Sequence, residues 1–402
     1  SIWVTGVQTC ALPISASAEF RYRRCALLGN LHSQKCGCWP RKKKPMDAMT
    51  GASAARSSLT EFDFASEGPS DRRFGNGHFA CVQSTDVAEF AGLIHDWKLE
   101  FSQLQAGSFL ASAHLLQLGT AFIARCSFNL SLLLRLRPPQ GCLSIVMIGP
   151  GSDPVLLRGN AISRDQCVVL GTGAEAELVS LGQFSGTAIA VSKGAWQAAS
   201  HWLGDRSASA ENRAHLESPG VQWMESVLAD SNRMLDACIR YPERAMSGGV
   251  GIAMKDLVLT SLTTTTQCTR PSSDDRSQRI RRRLAVQRAR AYIDENLANP
   301  MRLSEICAHA HAQARSLEYG FHEMLGITPV SYIKAVRLNR VRRLLSSSVP
   351  VDRTVTEIAL DCGFWHLSQF SMDYKSFFGE SPSVTGRRTI AQRSRHDRRL
   401  QP

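Results

Sequence analysis

Two stretches near the C-terminus carry the same hydrophobic pattern. In the first, Leu303, Ile306 and Ala310 recur at helical spacing, and after a short break Leu317, Phe321 and Leu325 follow at i, i+4 and i+8. In the second, Ile358 and Ala359 precede the break, and Phe370, Tyr374 and the pair Phe377-Phe378 follow it. Ser304-Glu305-Ile306 corresponds to Thr356-Glu357-Ile358 at an offset of 52, whereas Gly326 and Pro329 correspond to Gly379 and Pro382 at 53, so one residue is inserted within an otherwise matched pair. Each unit predicts a short helix, a tight turn, a longer helix and a closing Gly-x-x-Pro, over about 303–326 and 355–379. Thr356 is the expected cap of the second short helix, and Gly363 permits the positive φ that so tight a turn needs. A helix pair braced in this way presents the outer face of its second helix, the geometry of a helix-turn-helix.

Residues 330–345, "VSYIKAVRLNRVRRLL", join the two units as one helix. Ile333, Val336, Val341, Leu344 and Leu345 are expected to form its buried stripe, with Lys334, Arg337, Arg340, Arg342 and Arg343 facing solvent. At about 1.5 Å per residue its length is roughly 24 Å. With the flanking helices it can set two heads near the roughly 34 Å spacing of successive major-groove faces.

Upstream, the pattern changes. Residues 86–104 place Phe90, Leu93, Ile94 and Trp97 on one helical face, with Leu99 and Phe101 on the same face or in a following extended segment. From there to about residue 193, short β-favouring runs are cut by Gly and Pro every 8 to 12 residues, which predicts an antiparallel sandwich or barrel enclosing a cavity suited to a small ligand. Gly75-Asn76-Gly77 and Gly149-Pro150-Gly151 read as turns, since neither sits in a strand-GxGxxG-helix context. Two further helices are expected at 221–239 and 250–262, carrying a dimer seam or capping the core. Residues 263–283 have linker composition.

Charge sharpens this division. Residues 276–402 hold 22 Lys and Arg against 11 Asp and Glu, whereas residues 46–275 hold 17 against 23. The basic third predicts a polyanion partner and the mildly acidic middle a different task. The 12 cysteines are scattered with no CxxC pair, and His78, His95, His114 and His201 lie outside any metal-ligand spacing, so free thiols, a cytoplasmic setting and no metal or cofactor are expected. The longest apolar runs fall far short of the roughly 18 residues of a membrane span. Residues 1–45 are read as a non-native or read-through leader, because "VTGVQTCALPI" resembles translated sequencing adapter, with Met46 or Met49 as the expected start.

"RARAYIDENLANPMRLSEICAHA", "YIKAVRLNRVRRLL" and "VTEIALDCGFWHLSQFSMDYKSFFGESPS" together resemble the AraC/XylS family of bacterial transcriptional regulators over about residues 283–388. The region 60–200 resembles, more loosely, the sensor domain of some members. The resemblance implies an α+β chain: a cupin-like β-sandwich or barrel sensor with helices over 46–202, a helical connecting or dimerising region at 203–266, a linker at 267–283, an all-α DNA-binding domain of two helix-turn-helix units on a linker helix at 284–388, and a basic tail at 389–402. It also implies promoter DNA, RNA polymerase and a small-molecule effector as partners, and a possible homodimer. The base-contact candidates are Arg315, Glu318 and Tyr319 in the first unit and Leu367, Ser368, Gln369 and Met372 in the second. Arg337, Arg340, Arg387 and Arg388 are phosphate candidates, and Ile306, Leu317, Phe321, Ile358, Gly363, Phe370 and Tyr374 form the expected cores. Phe364, Trp365 and His366 are expected to pack the turn. This sequence departs from the family pattern at His311, where Gly is usual in the first turn, and at Met372, where Arg is frequent.

The expected function is ligand-responsive activation of a catabolic operon by a non-enzymatic, sequence-specific DNA-binding protein. Two other readings fit the same segments: an architectural DNA-binding protein whose middle domain only dimerises, and a barrel-domain enzyme with a DNA-binding tail.

Overall fold

The computed structural model describes residues 70–74, 77–94, 97–119, 121–195, 214–241, 276–347 and 353–389. The expectations for residues 1–45, for the helix at 250–262, for His95 and His201 and for the tail beyond Thr389 lie outside the described residues.

The Gly- and Pro-punctuated stretch folds into two open antiparallel sheets. The larger contains β1 (Ser70–Phe74), β2 (Gly77–Ser84), β4 (Ala111–Leu118), β5 (Ala121–Phe128), β7 (Cys142–Ile148), β10 (Cys167–Leu170), β12 (Phe184–Ser192) and β13 (Ala214–Glu217), in the order β1-β2-β4-β5-β12-β7-β10-β13. The smaller contains β3 (Lys98–Gln103), β6 (Leu132–Arg137), β8 (Val155–Leu157), β9 (Asn160–Ala161) and β11 (Ala176–Ser180), in the order β3-β6-β11-β8-β9. Of the two expected architectures, the chain adopts the sandwich. Among the described residues no backbone ladder joins the sheets; side chains fill the space between them. Phe90, Phe101, Phe109, Phe128 and Phe184 anchor that filling, with Phe128 stacked on Phe184 at 4.7 Å between ring centroids.

Both outer faces of the sandwich are also covered. On the larger sheet, Leu116, Ile123, Met147, Val169 and Ile189 pack against Met224, Val227, Met234 and Leu235 of helix α2 (Val221–Arg240). That helix therefore caps the core, one of the two roles expected of it. On the smaller sheet, Leu133, Leu156 and Val179 point away from the sandwich interior and join the core of the C-terminal helices. This explains the unbroken leucines of β6, a strand with apolar neighbours on both faces.

The expected helix at 86–104 is shorter than its periodicity implies. Helix α1 spans Val87–Leu93, capped by Asp86, whose Oδ1 accepts from Ala88 N (2.9 Å) and Glu89 N (3.0 Å). The chain then becomes β3, where Lys98 through Gln103 pair with Arg137 through Leu132. Apolar positions at 97, 99 and 101 satisfy alternation as well as a helical stripe, and pairing with β6 decides between them.

The C-terminal helices are α3 (Arg276–Glu295), α4 (Leu303–Ala310), α5 (Ala314–Leu325), α6 (Pro329–Leu345), α7 (Val355–Asp361) and α8 (Leu367–Phe378), followed by a helical segment at 382–389. Helix α3 begins inside the stretch read as linker, because its arginines are good helix formers even though they offer no apolar stripe. Its Arg290 reaches the smaller sheet and donates to Glu177 on β11 (2.7 Å) and to the Tyr332 hydroxyl (3.1 Å). Burial alone raises the Glu177 carboxyl, but the hydrogen bonds and charge of Arg290 and Arg135 outweigh it and hold the group below the usual carboxylate range.

A carboxylate depressed on folding contributes stability above its unfolded pKa of about 4.3 and loses it as pH falls through the lower folded value. Denaturant titrations at stepped pH are expected to show stability declining below about pH 4.5, with part of that slope absent in Glu177→Gln. At neutral pH the same substitution is expected to cost about 1–2 kcal/mol. An unchanged acid slope in the variant would remove Glu177 from this role.

Candidate nucleic-acid interface

Helices α4 and α5 form one braced pair, and α7 and α8 the other. In the first, Ile306, Ala310, Leu317, Phe321 and Leu325 are buried together with Val286, Ala289 and Ile293 of α3. In the second, Ile358, Ala359, Cys362, Phe370, Tyr374 and Phe378 form a separate core. Helices α5 and α8 are equal in length, and their residues correspond at an offset of 53. Each ends on a glycine in the left-handed region, Gly326 at φ 72° and Gly379 at φ 77°. Pro329 occupies the first turn of α6, and Pro382 stands at the start of the 382–389 segment, which accounts for the repeated Gly-x-x-Pro.

The repeated Glu is a capping residue. Glu305 Oε2 accepts from Arg302 N at 3.0 Å, and Glu357 Oε2 accepts from Thr354 N at 2.6 Å. The cap of α7 is thus Thr354 and not the expected Thr356, because the reciprocal bond needs a hydroxyl three residues before the Glu; Thr354 Oγ1 accepts from Glu357 N at 3.2 Å. The Thr354 backbone and hydroxyl donors hold the Glu357 carboxyl below its ordinary range.

The two turns share a conformation but not a residue. His311 follows α4 with φ 51° and ψ 43°, and Gly363 follows α7 with φ 82°. At Gly363 a β-carbon would stand 2.6 Å from the Leu297 carbonyl oxygen and 3.0 Å from the Arg337 guanidinium. Arg337 fills that space and donates to the carbonyls of Leu297 (2.9 Å) and Asn299 (2.6 Å).

Helix α6 contributes to both cores: Tyr332 packs edge-on to Phe321 at 5.5 Å, while Leu338, Val341 and Leu345 enter the second core. Its buried stripe differs from the expected one. It runs Tyr332, Ala335, Leu338, Asn339, Val341, Arg342 and Leu345, so Val341 and Leu345 lie where expected while Ile333, Val336 and Leu344 are only partly covered. The stripe keeps the 3.6-residue period once its two polar members are admitted, and reading apolar residues alone rotates it.

Arg342, expected in solvent, is 4% exposed. It pairs with Asp86 (2.7 Å) and Glu380 (3.0 Å) and lies 4.5 Å over the Phe378 ring. Arg388 completes the cluster, bonding Glu380 (3.0 Å) and Asp86 (3.3 Å). One turn away, Asn339 exchanges two hydrogen bonds with the backbone of Gln103 (3.0 and 2.8 Å), and Gln103 Nε2 donates to the Phe377 carbonyl (2.9 Å). The sandwich is therefore hydrogen-bonded to α6 and to the end of α8.

The seven base-contact candidates all face solvent: Arg315, Glu318 and Tyr319 on α5, and Leu367, Ser368, Gln369 and Met372 on α8. Arg315 lies 5.7 Å over the Tyr319 ring, and Gln369 donates to Asp373 (2.9 Å). Of the phosphate candidates, Arg340 and Arg387 are exposed, whereas Arg337 and Arg388 are engaged within the protein as described. Trp365 and His366, expected to pack the second turn, are instead exposed at the start of α8; Phe364 alone packs inward, 4.9 Å from Phe370. Among the described residues no three His, Cys, Asp or Glu side chains converge as a metal site, and no helix is long and apolar enough to cross a membrane.

Residues 306–388 match the family described as "Helix-turn-helix domain". The chain is 40% identical over 94 residues to "XylDLEGF operon transcriptional activator 2" of Pseudomonas putida, covering 23% of this chain and 60% of that protein. It is 36% identical over 101 residues to "Probable thc operon regulatory protein" of Rhodococcus erythropolis, covering 25% and 29%. The crystal structure of a probable AraC family transcriptional regulator from Rhodopseudomonas palustris CGA009 is 35% identical over 26% of this chain and 96% of that one, with a TM-score of 0.25. The chain thus spans less than two thirds of the length of these curated relatives.

His311→Gly is expected to stabilise the protein by about 1 kcal/mol, because a β-carbon at positive φ carries that cost. Gly363→Ala is expected to destabilise it by about 1–3 kcal/mol through φ strain, in addition to displacing Arg337. Thermal or urea denaturation checks both, and equal effects at the two turns would contradict the difference in their surroundings.

Proposed function

With the C-terminal region of the chain an AraC/XylS-type helix-turn-helix domain, we propose that the protein is a sequence-specific DNA-binding transcriptional regulator, acting as a ligand-responsive activator of a catabolic operon. One observation carries the reading: a single helix, α6, supplies core residues to two helix-turn-helix units whose recognition faces are both open to solvent. DNA is bound as two adjacent major-groove contacts, with Arg315 and Gln369 as bidentate base readers and Arg340 and Arg387 as phosphate contacts.

The sandwich is the sensor in this reading, cupin-like in role, working in the cytoplasm. A cavity of about 680 Å³ at its rim, lined by Phe122, Lys98, Arg137 and Gln117 among others, is large enough for a small organic effector. A second cavity of about 340 Å³ lies between the smaller sheet and α6, with Glu100, Arg135, Asp294, Tyr332 and Arg340 in its wall. The effector alters how α6 sits on the sheet, and thereby how the heads meet DNA and RNA polymerase, as monomer or homodimer. The architectural alternative lacks a use for these cavities.

Arg315→Ala is expected to weaken binding to its selected site by about 1–3 kcal/mol and to relax preference at one base. Arg340→Ala is expected to weaken all sequences alike and to flatten the salt slope by about one. Gel shifts on selected and random duplexes across a salt series separate the two, and equal losses on both duplexes for Arg315→Ala would sink its assignment.

A further inference from the structure

The offset of 53 between α5 and α8 permits a position-by-position comparison of the two reading faces. Arg315 is matched by Ser368, Tyr319 by Met372, Ala314 by Leu367 and Ala312 by Trp365. The first head thus presents a guanidinium, held over the Tyr319 ring, beside the Glu318 carboxylate. The second presents Met372 (60% exposed), Leu367 (37%) and Trp365 (59%) around Ser368 and Gln369, with no charged group at the matched positions. Apolar side chains this exposed, on the helix face that the proposed function turns toward DNA, have one apolar partner in a major groove: the C5 methyl of thymine.

We infer that the two heads read different chemistry: the second half-site is recognised chiefly through thymine methyl groups packed on Met372 and Leu367, and the first through a guanine bound by Arg315. The inference rests on the DNA-binding reading above and adds the composition of each half-site to it. Gln369 fits an A·T-rich half-site as well. Its amide already donates to Asp373, which is held by Lys334 at 2.7 Å, so the group is oriented and retains a second donor and its oxygen for adenine.

The test uses the full chain and duplexes selected by it from a random pool. Deoxyuridine replaces thymine in one half-site at a time, removing the methyl group and leaving base pairing unchanged. Arg315→Ala identifies the first head's half-site as the one whose guanine preference it relaxes. In the other half-site, each deoxyuridine at a contacted position is expected to lower affinity about fourfold, the effect of one buried methyl group at about 0.8 kcal/mol. At the thymines packed on Met372, Met372→Ala is expected to reduce that sensitivity to less than twofold, while the guanine preference at the first half-site persists. Deoxyuridine effects under twofold in the second half-site, or a sensitivity that Met372→Ala leaves intact, would overturn the inference with DNA binding itself secure. Failure to select any duplex would instead remove the parent reading, and the inference with it.

Discussion

Asn339 and Arg342 lie one turn apart on α6, and both point into the protein instead of into water. A buried guanidinium is tolerable only where carboxylates replace its hydration. Asp86 and Glu380 do so at Nε and Nη2, and Arg388 balances the second carboxylate, giving a cluster of two acids and two bases at the junction of sandwich and helices. Its geometry is demanding because each carboxylate oxygen has an assigned role: Asp86 Oδ1 caps α1 while Oδ2 receives Arg342 and Arg388. An apolar contact of equal area would tolerate sliding between the parts. This one specifies a single register, since a shift of one residue would strand a charge in a low-dielectric junction.

The same helix that accepts this constraint also unites the two heads. Tyr332 belongs to the first core and Leu338, Val341 and Leu345 to the second, so any rotation of α6 against β3 moves α5 and α8 together. Asn339 makes the coupling local and directional. β3 is an edge strand, and its open backbone groups at Gln103 are satisfied by a side-chain amide in place of another strand. Gln103 passes the connection to the Phe377 carbonyl near the end of α8. A path of hydrogen bonds therefore runs from the sheet that borders both cavities to the last turn of α8.

The heads were legible in the sequence because local rules determine them. Periodic Leu317, Phe321, Phe370 and Tyr374 and the terminal Gly-x-x-Pro each depend on neighbours within a few residues, and all lie where their spacing implies; the cap of α7 falls two residues before the expected Thr356, at Thr354. The junction was not legible. Asp86 and Arg342 are 256 positions apart, and nothing in "NRVRRLL" distinguishes the arginine that is buried from those that are not until the sheet supplies the carboxylate. The extended segment after α1 was ambiguous for the same reason, its fate decided by pairing with β6. Trp365 was misplaced because an aromatic beside a tight turn is usually core, and here Phe364 already fills that role.

The departure from glycine at the first turn gains its meaning from this contrast between local and distant constraints. Both turns require a left-handed residue, yet only at Gly363 does the surrounding structure also forbid a side chain, because Arg337 and the end of the Leu297 segment occupy the space. His311 stands exposed, so its side chain meets solvent and the only cost is the backbone conformation, a small fraction of a domain's stability. Histidine at this turn therefore adopts the same left-handed region as Gly363 does at the second. The second turn is the one where a single methyl group would reach α6, and through it the junction that holds both heads to the sandwich.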